Sequence, residues 1–259
     1  MDILIHTASG MLMGCAVALI NPWKRRIGAR QMLLQMGLGG LAGAFPDLDA
    51  ISQWSGFDRT IGAFFHLASG DEIYIGRWWY SHHAFTHSIL ASVLFAAIIW
   101  GILYPWRSRS KDLTQRALHC SLIAFLGWNS HLAGDLPTPK GSWDGIAYWW
   151  PSSQYIGGTG HTFWWNNYDI FLIILSGIVL HWIIFAIKRL PQRICSLASC
   201  LTLIGLIIYQ LHQRPIDFND RSRPYADREK ISLEYQRSIL GEPLFQWMRR
   251  LDDSLPVYF

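Results

Sequence analysis

The chain has 259 residues, of which 51% are hydrophobic and only 15% charged, with 14 Trp among them. A soluble domain of this size would carry about 25% charged residues, so the composition points to a membrane protein and to the lipid bilayer as a partner. The formal net charge is only +4, and no basic block is dense enough for nucleic-acid binding, so that partner class is set aside.

Six apolar segments follow one another, at residues 3–20, 32–45, 89–106, 117–136, 170–187 and 194–209. A helix crosses the hydrocarbon layer in about 20 residues, and about 17 is a lower limit. The first, third, fourth and fifth segments come near that length. The second, MLLQMGLGGLAGAF, is short and glycine-rich. Of its two readings, a span packed closely on a neighbour and a re-entrant piece, the span is favoured. The opening MDILIH has no basic stretch, which argues against a cleaved signal peptide. Cys15, Cys120, Cys195 and Cys200 all sit in apolar runs without a C-x-x-C pair. They read as small apolar residues rather than as metal ligands or disulfides. The expected fold is an all-α, polytopic bundle of about six helices, with residues 1–211 in the membrane. Residues 212–259 form an amphipathic tail, whose helices are separated by GEP at 241–243.

Basic residues gather after the first segment (Lys24, Arg25, Arg26, Arg30), the third (Arg107, Arg109, Lys111, Arg116) and the fifth (Lys188, Arg189, Arg193). If every segment spans, these loops share one side, which the positive-inside rule makes cytoplasmic. The 50–87 loop, the 137–169 loop and the tail then face outward. The outer loops carry the aromatic runs RWWY, YWW and FWW. These suit an interfacial belt, and they also suit a platform for an amphipathic substrate.

On this map the ionisable residues fall at one face. His6 lies near the outer end of the first segment. Asp47 and Asp49, in FPDLD, end the second. His82, His83 and His87, in SHHAFTHS, precede the third, and His131 and Asp135, in HLAGD, end the fourth. His131 and Asp135 are four apart and share a helix face. Pro137 and Pro139 should stop that helix. His82 and His87 would diverge by about 140° on a regular helix, so they converge only if the chain turns between them. Thr86 is expected to cap the third segment, which would put His87 in its first turn. Pro46 should end the second segment and leave the aspartates on a turn. Imidazole and carboxylate without thiolate suit zinc, manganese or iron. The surplus of such groups suits two or more ions bridged by an aspartate, the arrangement that serves phosphoryl chemistry. His66, His119, His161, His181 and His212 are read instead as capping, interfacial or packing residues.

These motifs resemble the YdjM-like family of membrane-bound, metal-dependent hydrolases. Its pattern is an N-terminal His before small residues, a P-D-[IL]-D turn, H-R-G-x-T-H-S, and a helical H-x-x-x-D followed by T-P. Here those stand as His6 in HTASG, PDLD at 46–49, HHAFTHS at 82–88 and HLAGDLPTP at 131–139. The resemblance covers about the first 165 residues. It implies metal ligands at His6, Asp47, Asp49, His82, His87, His131 and Asp135, and an inner-membrane location. The family is distantly similar to the zinc-dependent phospholipase C and single-strand nuclease superfamily, which implies zinc and phosphoester cleavage. His83 stands where the family has Arg, and Ala84 where it has Gly. His83 then donates to a phosphate when protonated, protonates a leaving group, or is a tolerated variation. His161 and Asp169 are weaker candidates for a further metal shell.

The expected activity is hydrolysis of a phosphoester in a lipid or lipid-linked substrate, at a zinc-type site on the non-cytoplasmic face. Asp47 and His83 are the candidate catalytic groups. Thr86, Trp149 and Trp150 are the candidate substrate contacts. The alternative is a metal-binding transporter or sensor; transport sites usually sit near the bilayer midplane rather than at helix ends. No H-E-x-x-H occurs, which disfavours an intramembrane zinc protease.

Overall fold

The computed structural model describes residues 3–21, 27–105, 110–158, 164, 167–214 and 224–254. Lys24, Arg25, Arg26, Arg107, Arg109, His161, Phe163 and Trp165, all used above, lie outside the described residues. Among the described residues there is no strand, only a single bridge between Ile146 and Ile156.

The bundle begins with α1 (Ile3–Ile20) and α2 (Ala29–Ala44). Glycine is what joins them. A Cβ on Gly10 would lie 2.1 Å from the Gly39 carbonyl oxygen, and one on Gly43 would lie 2.4 Å from that of His6. The two backbones therefore touch directly, and the pairing of 10 with 39 and 6 with 43 makes the helices antiparallel. Each residue advances about 1.5 Å, so close packing of small residues fixes the depth of His6 relative to the end of α2.

Next come α3 (Ile89–Leu103) and α4 (Lys111–Asp135). They run antiparallel, with Ser121 Oγ donating to the Ala96 carbonyl and Asn129 Nδ2 to Ser92 Oγ. Helix α4 lies beside α2 in the same direction, Gly127 against Gly39. Finally α5 (Tyr168–Ala186) and α6 (Gln192–His212) run antiparallel and pack on α1, with Leu12, Ile174, Ile178 and Leu203 in a shared core. Arg193 Nη2 donates to the Asn21 carbonyl, which brings the start of α6 to the end of α1. The starts of α1, α3 and α5 and the ends of α2, α4 and α6 thus gather at one end of the bundle. Arg30, Lys111, Arg116, Lys188 and Arg189 lie at the other.

Large apolar side chains remain exposed around the outside, among them Leu34, Leu41, Ile102, Val179, Leu201 and Ile208. A belt of this kind marks a lipid-facing surface. By length and composition α1, α5 and α6 are long and apolar enough to cross a membrane, and α3 is a shorter apolar helix. This narrows the expectation of six spans. Helix α2 has 16 residues and α3 has 15, both under the roughly 20 that the hydrocarbon layer needs. Helix α4 has 25 residues but carries polar groups along its length.

The tail folds into α7 (Tyr225–Leu240) and α8 (Glu242–Asp253), parted at Gly241, whose φ of 72° ends the first helix. Phe245 and Met248 bury against Tyr168. The Tyr168 hydroxyl donates to Asp252 at 2.6 Å, and its backbone N–H donates to Gln236 at 2.6 Å. The tail therefore docks on the start of α5.

Candidate metal centre

At the end where six helix termini gather, α2 gives way at Pro46 to a 3-10 helix over Phe45–Gln53. Asp47 and Asp49 sit on it, so the expected turn is present as a tighter helix. At 3.0 residues per turn, positions two apart point about 120° apart. Asp47 accordingly faces α1 and α4, while Asp49 faces the segment before α3.

His131 Nδ1 lies 2.7 Å from the Gly43 carbonyl oxygen. A carbonyl only accepts, so Nδ1 carries the hydrogen and Nε2 presents a lone pair. That Nε2 lies 3.0 Å from Asp135 Oδ2, 3.5 Å from Asp47 Oδ1 and 3.1 Å from His87 Nε2. The His6 ring stacks on His131 with centroids 3.6 Å apart, and its Nε2 is 3.1 Å from Asp135 Oδ1. All of these side chains are buried. The expected i, i+4 pairing of His131 and Asp135 is therefore present, and His6 joins it.

The SHHAFTHS stretch is not a continuous helix. Turns and a 3-10 helix at Phe85–His87 bring the His82 and His87 rings to 5.0 Å. Trp128 of α4 fixes this segment by donating from Nε1 to the Thr86 carbonyl at 2.9 Å. The cap of α3 is Ser88, whose hydroxyl accepts from Ala91 N at 3.1 Å. Thr86, expected in that role, lies one turn earlier and donates its hydroxyl to Asp49 Oδ2 instead. Its backbone belongs to the 3-10 turn, which puts its side chain on the cluster.

Asp49 stands behind the imidazoles rather than among the converging ligand atoms. Its Oδ1 is 2.7 Å from His82 Nδ1, and its Oδ2 is 3.3 Å from His87 Nδ1. Both rings are thus held at Nδ1, and His87 directs Nε2 to His131, Asp47 and Asp135, at 3.1, 3.6 and 3.5 Å. His83 is held in the same sense by the Gly145 carbonyl, 3.0 Å from its Nδ1. Burial pushes its imidazole well below the usual range, and His82 and His87 add to that. With Nδ1 on Gly145, Nε2 is the ring nitrogen that remains for other contacts.

The loop after α4 builds the other wall. His83 accepts at its carbonyl from Ala147 N, and Tyr148 accepts from Ile89 N. Gly145 has φ of 110°, and a Cβ there would meet the Ile156 carbonyl oxygen at 2.1 Å, so the loop closes only with glycine. This closure turns Trp143 onto His82 and His83, with centroids 5.1 and 4.4 Å away. Tyr74 stacks on His82 at 4.7 Å and meets Trp143 edge-on at 5.3 Å. Sequence reasoning missed both; the signal for Trp143 was a lone Trp framed by Gly141 and Gly145. Trp149 and Trp150, expected to touch substrate, do not reach the cluster. Trp149 is 57% exposed and Trp150 packs on Phe85, because the backbone has already turned toward α3. Asp169 lies elsewhere too, paired with Arg214. His181 bonds Gly177 and Ser196 within the bundle, and His119 lines a cavity at the opposite end.

The electrostatics fit a cation. Burial would raise the carboxyls of Asp47 and Asp49, yet His131 and His87 around the first and His82 and His87 around the second hold both well below the usual range. Burial alone would lower His87, but the Asp49 carboxylate, with Asp47 and Asp135, raises it to about 10. The nest therefore favours positive charge where its lone pairs converge. Ligand atoms of His6, Asp47 and His131, of His87, His131 and Asp135, and of His82, His83 and His87 each lie within 4.8 Å of one another. Imidazoles with fixed tautomers and buried carboxylates are the donor set of a divalent metal, and hydrogen bonds to the far ring nitrogens are the usual way such ligands are oriented.

A cavity of about 670 Å³ adjoins this cluster. Ile51, Phe57, Phe65, Ile73 and Phe85 line it together with Asp49 and Thr86.

Fold and site together define a helical membrane protein with a buried His/Asp cluster able to hold metal. The family model of the YdjM inner membrane protein matches residues 1–214. The chain belongs to that family, as the motif order in its first half implied. No curated protein and no solved structure matches it.

Proposed function

We propose that the protein is a metal-dependent hydrolase that cleaves a phosphoester of a lipid or lipid-linked substrate at the membrane surface. The observation that carries this is the adjacency of the His/Asp cluster to a mostly apolar cavity through Asp49 and Thr86. Bound zinc-class ions would supply a low pKa for water and charge neutralisation at a phosphoryl group. His6, Asp47, His82, His87, His131 and Asp135 would hold them. Asp49 keeps His82 and His87 in one tautomer. The apolar walls accept an acyl or isoprenoid chain, and Thr86 meets the polar end of the same molecule. Trp143 and Tyr74 cover the imidazoles and keep bulk water from them.

The described basic residues of the short loops, Arg30, Lys111, Arg116, Lys188 and Arg189, lie at the end opposite the cluster, and a positive-inside reading of those loops puts the cluster on the non-cytoplasmic face. In a background without native cysteines, a Cys at position 142 should react with an impermeant reagent in intact cells. One at position 110 should react only after the membrane is breached. The reverse pattern overturns the orientation.

The activity is tested with detergent-purified protein, first by metal analysis and then against glycerophospholipids and polyprenyl phosphates. Hydrolysis that stops on chelation and returns with zinc is the expected result. Tightly bound metal without hydrolysis of any phosphoester would replace the enzyme reading with a metal sensor or transporter.

A further inference from the structure

We propose that the end of the bundle opposite the metal centre holds the headgroup of an anionic phospholipid. The site is a groove between the starts of α2 and α4, and it reads both a phosphodiester and a hydroxyl beside it. It stands apart from the metal reading and does not depend on it.

The groove has a volume of about 450 Å³, inside the span of roughly 300–1,000 Å³ usual for small-molecule sites. Helix α2 contributes Arg30, Gln31 and Gln35 to it, and α4 contributes Gln115, Arg116 and His119. The two helices run in the same direction, so both present their positive ends here. They are completed differently. Helix α4 has Asp112 in its first turn, and that carboxylate already pairs with Arg116 at 2.7 Å. Helix α2 has no acidic residue in its first turn and no side-chain cap. Its first helical bond runs from Met32 N to the Gly28 carbonyl, which leaves the N–H groups of Ala29, Arg30 and Gln31 ahead of the ladder. Arg30 is exposed and has no carboxylate partner among the described residues. An uncapped helix start beside a guanidinium is an anion-binding arrangement.

A second observation lies deeper. Gln35 is 4% exposed and lines the groove, and its Oε1 has no hydrogen-bond partner among the described residues. It sits one turn further into the bundle than Gln31. A buried amide oxygen of this kind is completed by a donor from a ligand. A phosphodiester with an adjacent hydroxyl meets both demands, its charge at Arg30 and the helix start and its O–H at Gln35. Leu34 fixes the source of that ligand. It is 64% exposed on the lipid-facing belt and also forms part of the groove wall. The groove therefore opens toward the acyl layer, and a bilayer phospholipid reaches it without leaving the membrane. Basic pockets between membrane helices bind lipid headgroups in this way.

Native mass spectrometry of the full-length, detergent-purified protein reads the affinity of the first phospholipid bound. The probes are phosphatidylglycerol and phosphatidylmethanol, which carry the same phosphodiester charge and differ in the headgroup hydroxyls. Wild type should bind phosphatidylglycerol about fivefold more tightly. Arg30→Gln should weaken both lipids about tenfold. Arg189→Gln, which removes an exposed charge at the same end but outside the groove, should leave both near wild type. Gln35→Met should erase the preference for phosphatidylglycerol and leave phosphatidylmethanol binding as it was. Equal losses in Arg30→Gln and Arg189→Gln would overturn the site in favour of general surface attraction. A preference that survives Gln35→Met would overturn the role of Gln35. If that variant does not fold, the wild-type comparison decides, because equal affinity for the two lipids removes the hydroxyl from the proposal. Glycerophosphoglycerol, the same headgroup without acyl chains, should fail to displace the lipid at equal concentration. Displacement would make the occupant a soluble phosphoester and overturn the lipid assignment.

Discussion

Two groups of ionisable side chains are buried at the same end of this bundle, and they are built on opposite principles. Around Asp169, donors meet the carboxylate directly. Arg214 Nη2 reaches both carboxylate oxygens, at 3.0 and 2.9 Å, Gln210 adds a third bond at 2.9 Å, and the guanidinium lies over the Tyr235 ring. Around Asp47 and Asp135 the partners are the imidazoles of His6, His87 and His131, and the hydrogen of His131 is already committed to the Gly43 carbonyl, so acceptors outnumber the donors that face them. The first group pairs its charges directly and ties α5, α6 and the tail together. The second is electrostatically complete only with added positive charge. Burial of an ionisable residue near a membrane is thus a weak sign of function, and a local surplus of acceptors is a stronger one.

The largest effect should come from breaking the charge-paired group. Arg214→Ala leaves the Asp169 carboxylate buried and unpaired, which typically costs about 3–5 kcal/mol. Unfolding in mixed micelles should show that loss, while metal content of the protein that remains folded stays at the wild-type level. If Arg214→Ala removed metal and spared stability, the contrast between the two groups would be wrong.

The next effect belongs to the other group. Asp49→Asn keeps the size of the side chain but removes the charge that holds both His82 and His87. Loss of such a supporting partner costs about 10–100-fold in metal affinity. Chelator competition measures it. An affinity equal to wild type would mean that the two Nδ1 contacts orient nothing.

The sequence shows these two groups unequally. The helices of the bundle were legible from their apolar runs, and so was the close approach of α1 and α2, because a glycine-rich stretch has few other uses in lipid. The convergence of His6, Asp47, His87, His131 and Asp135 was legible because each lies at a segment end and the segments alternate in direction. The division of labour between Asp47 and Asp49 was not. PDLD looks symmetrical, and which neighbour each carboxylate meets depends on how the 3-10 helix sits against α1, α4 and the segment before α3. Trp143 was hidden for another reason. Its position depends on the bond from Ala147 N to the His83 carbonyl and on glycine at 145, contacts between distant segments that no periodicity records. The third segment, read as 89–106, was overestimated for a third reason. Hydropathy continues into the turns that follow α3, so the apolar run outlasts the helix.

The smallest effect separates two neighbouring hydroxyls. Ser88 caps α3 by accepting from Ala91 N, whereas Thr86 donates to Asp49. Losing an N-cap costs about 1 kcal/mol. Ser88→Ala should therefore lower the unfolding midpoint slightly and leave metal affinity unchanged, since Ser88 touches no imidazole of the cluster among its described bonds. Thr86→Val keeps the branched shape and removes the donor, so stability should hold while metal binding weakens by less than in Asp49→Asn. The two variants sit two residues apart and should move different observables. If Thr86→Val lowered stability as a lost cap does, and Ser88→Ala did not, α3 would begin at Thr86, and the 3-10 turn that brings His82 to His87 would have to be redrawn.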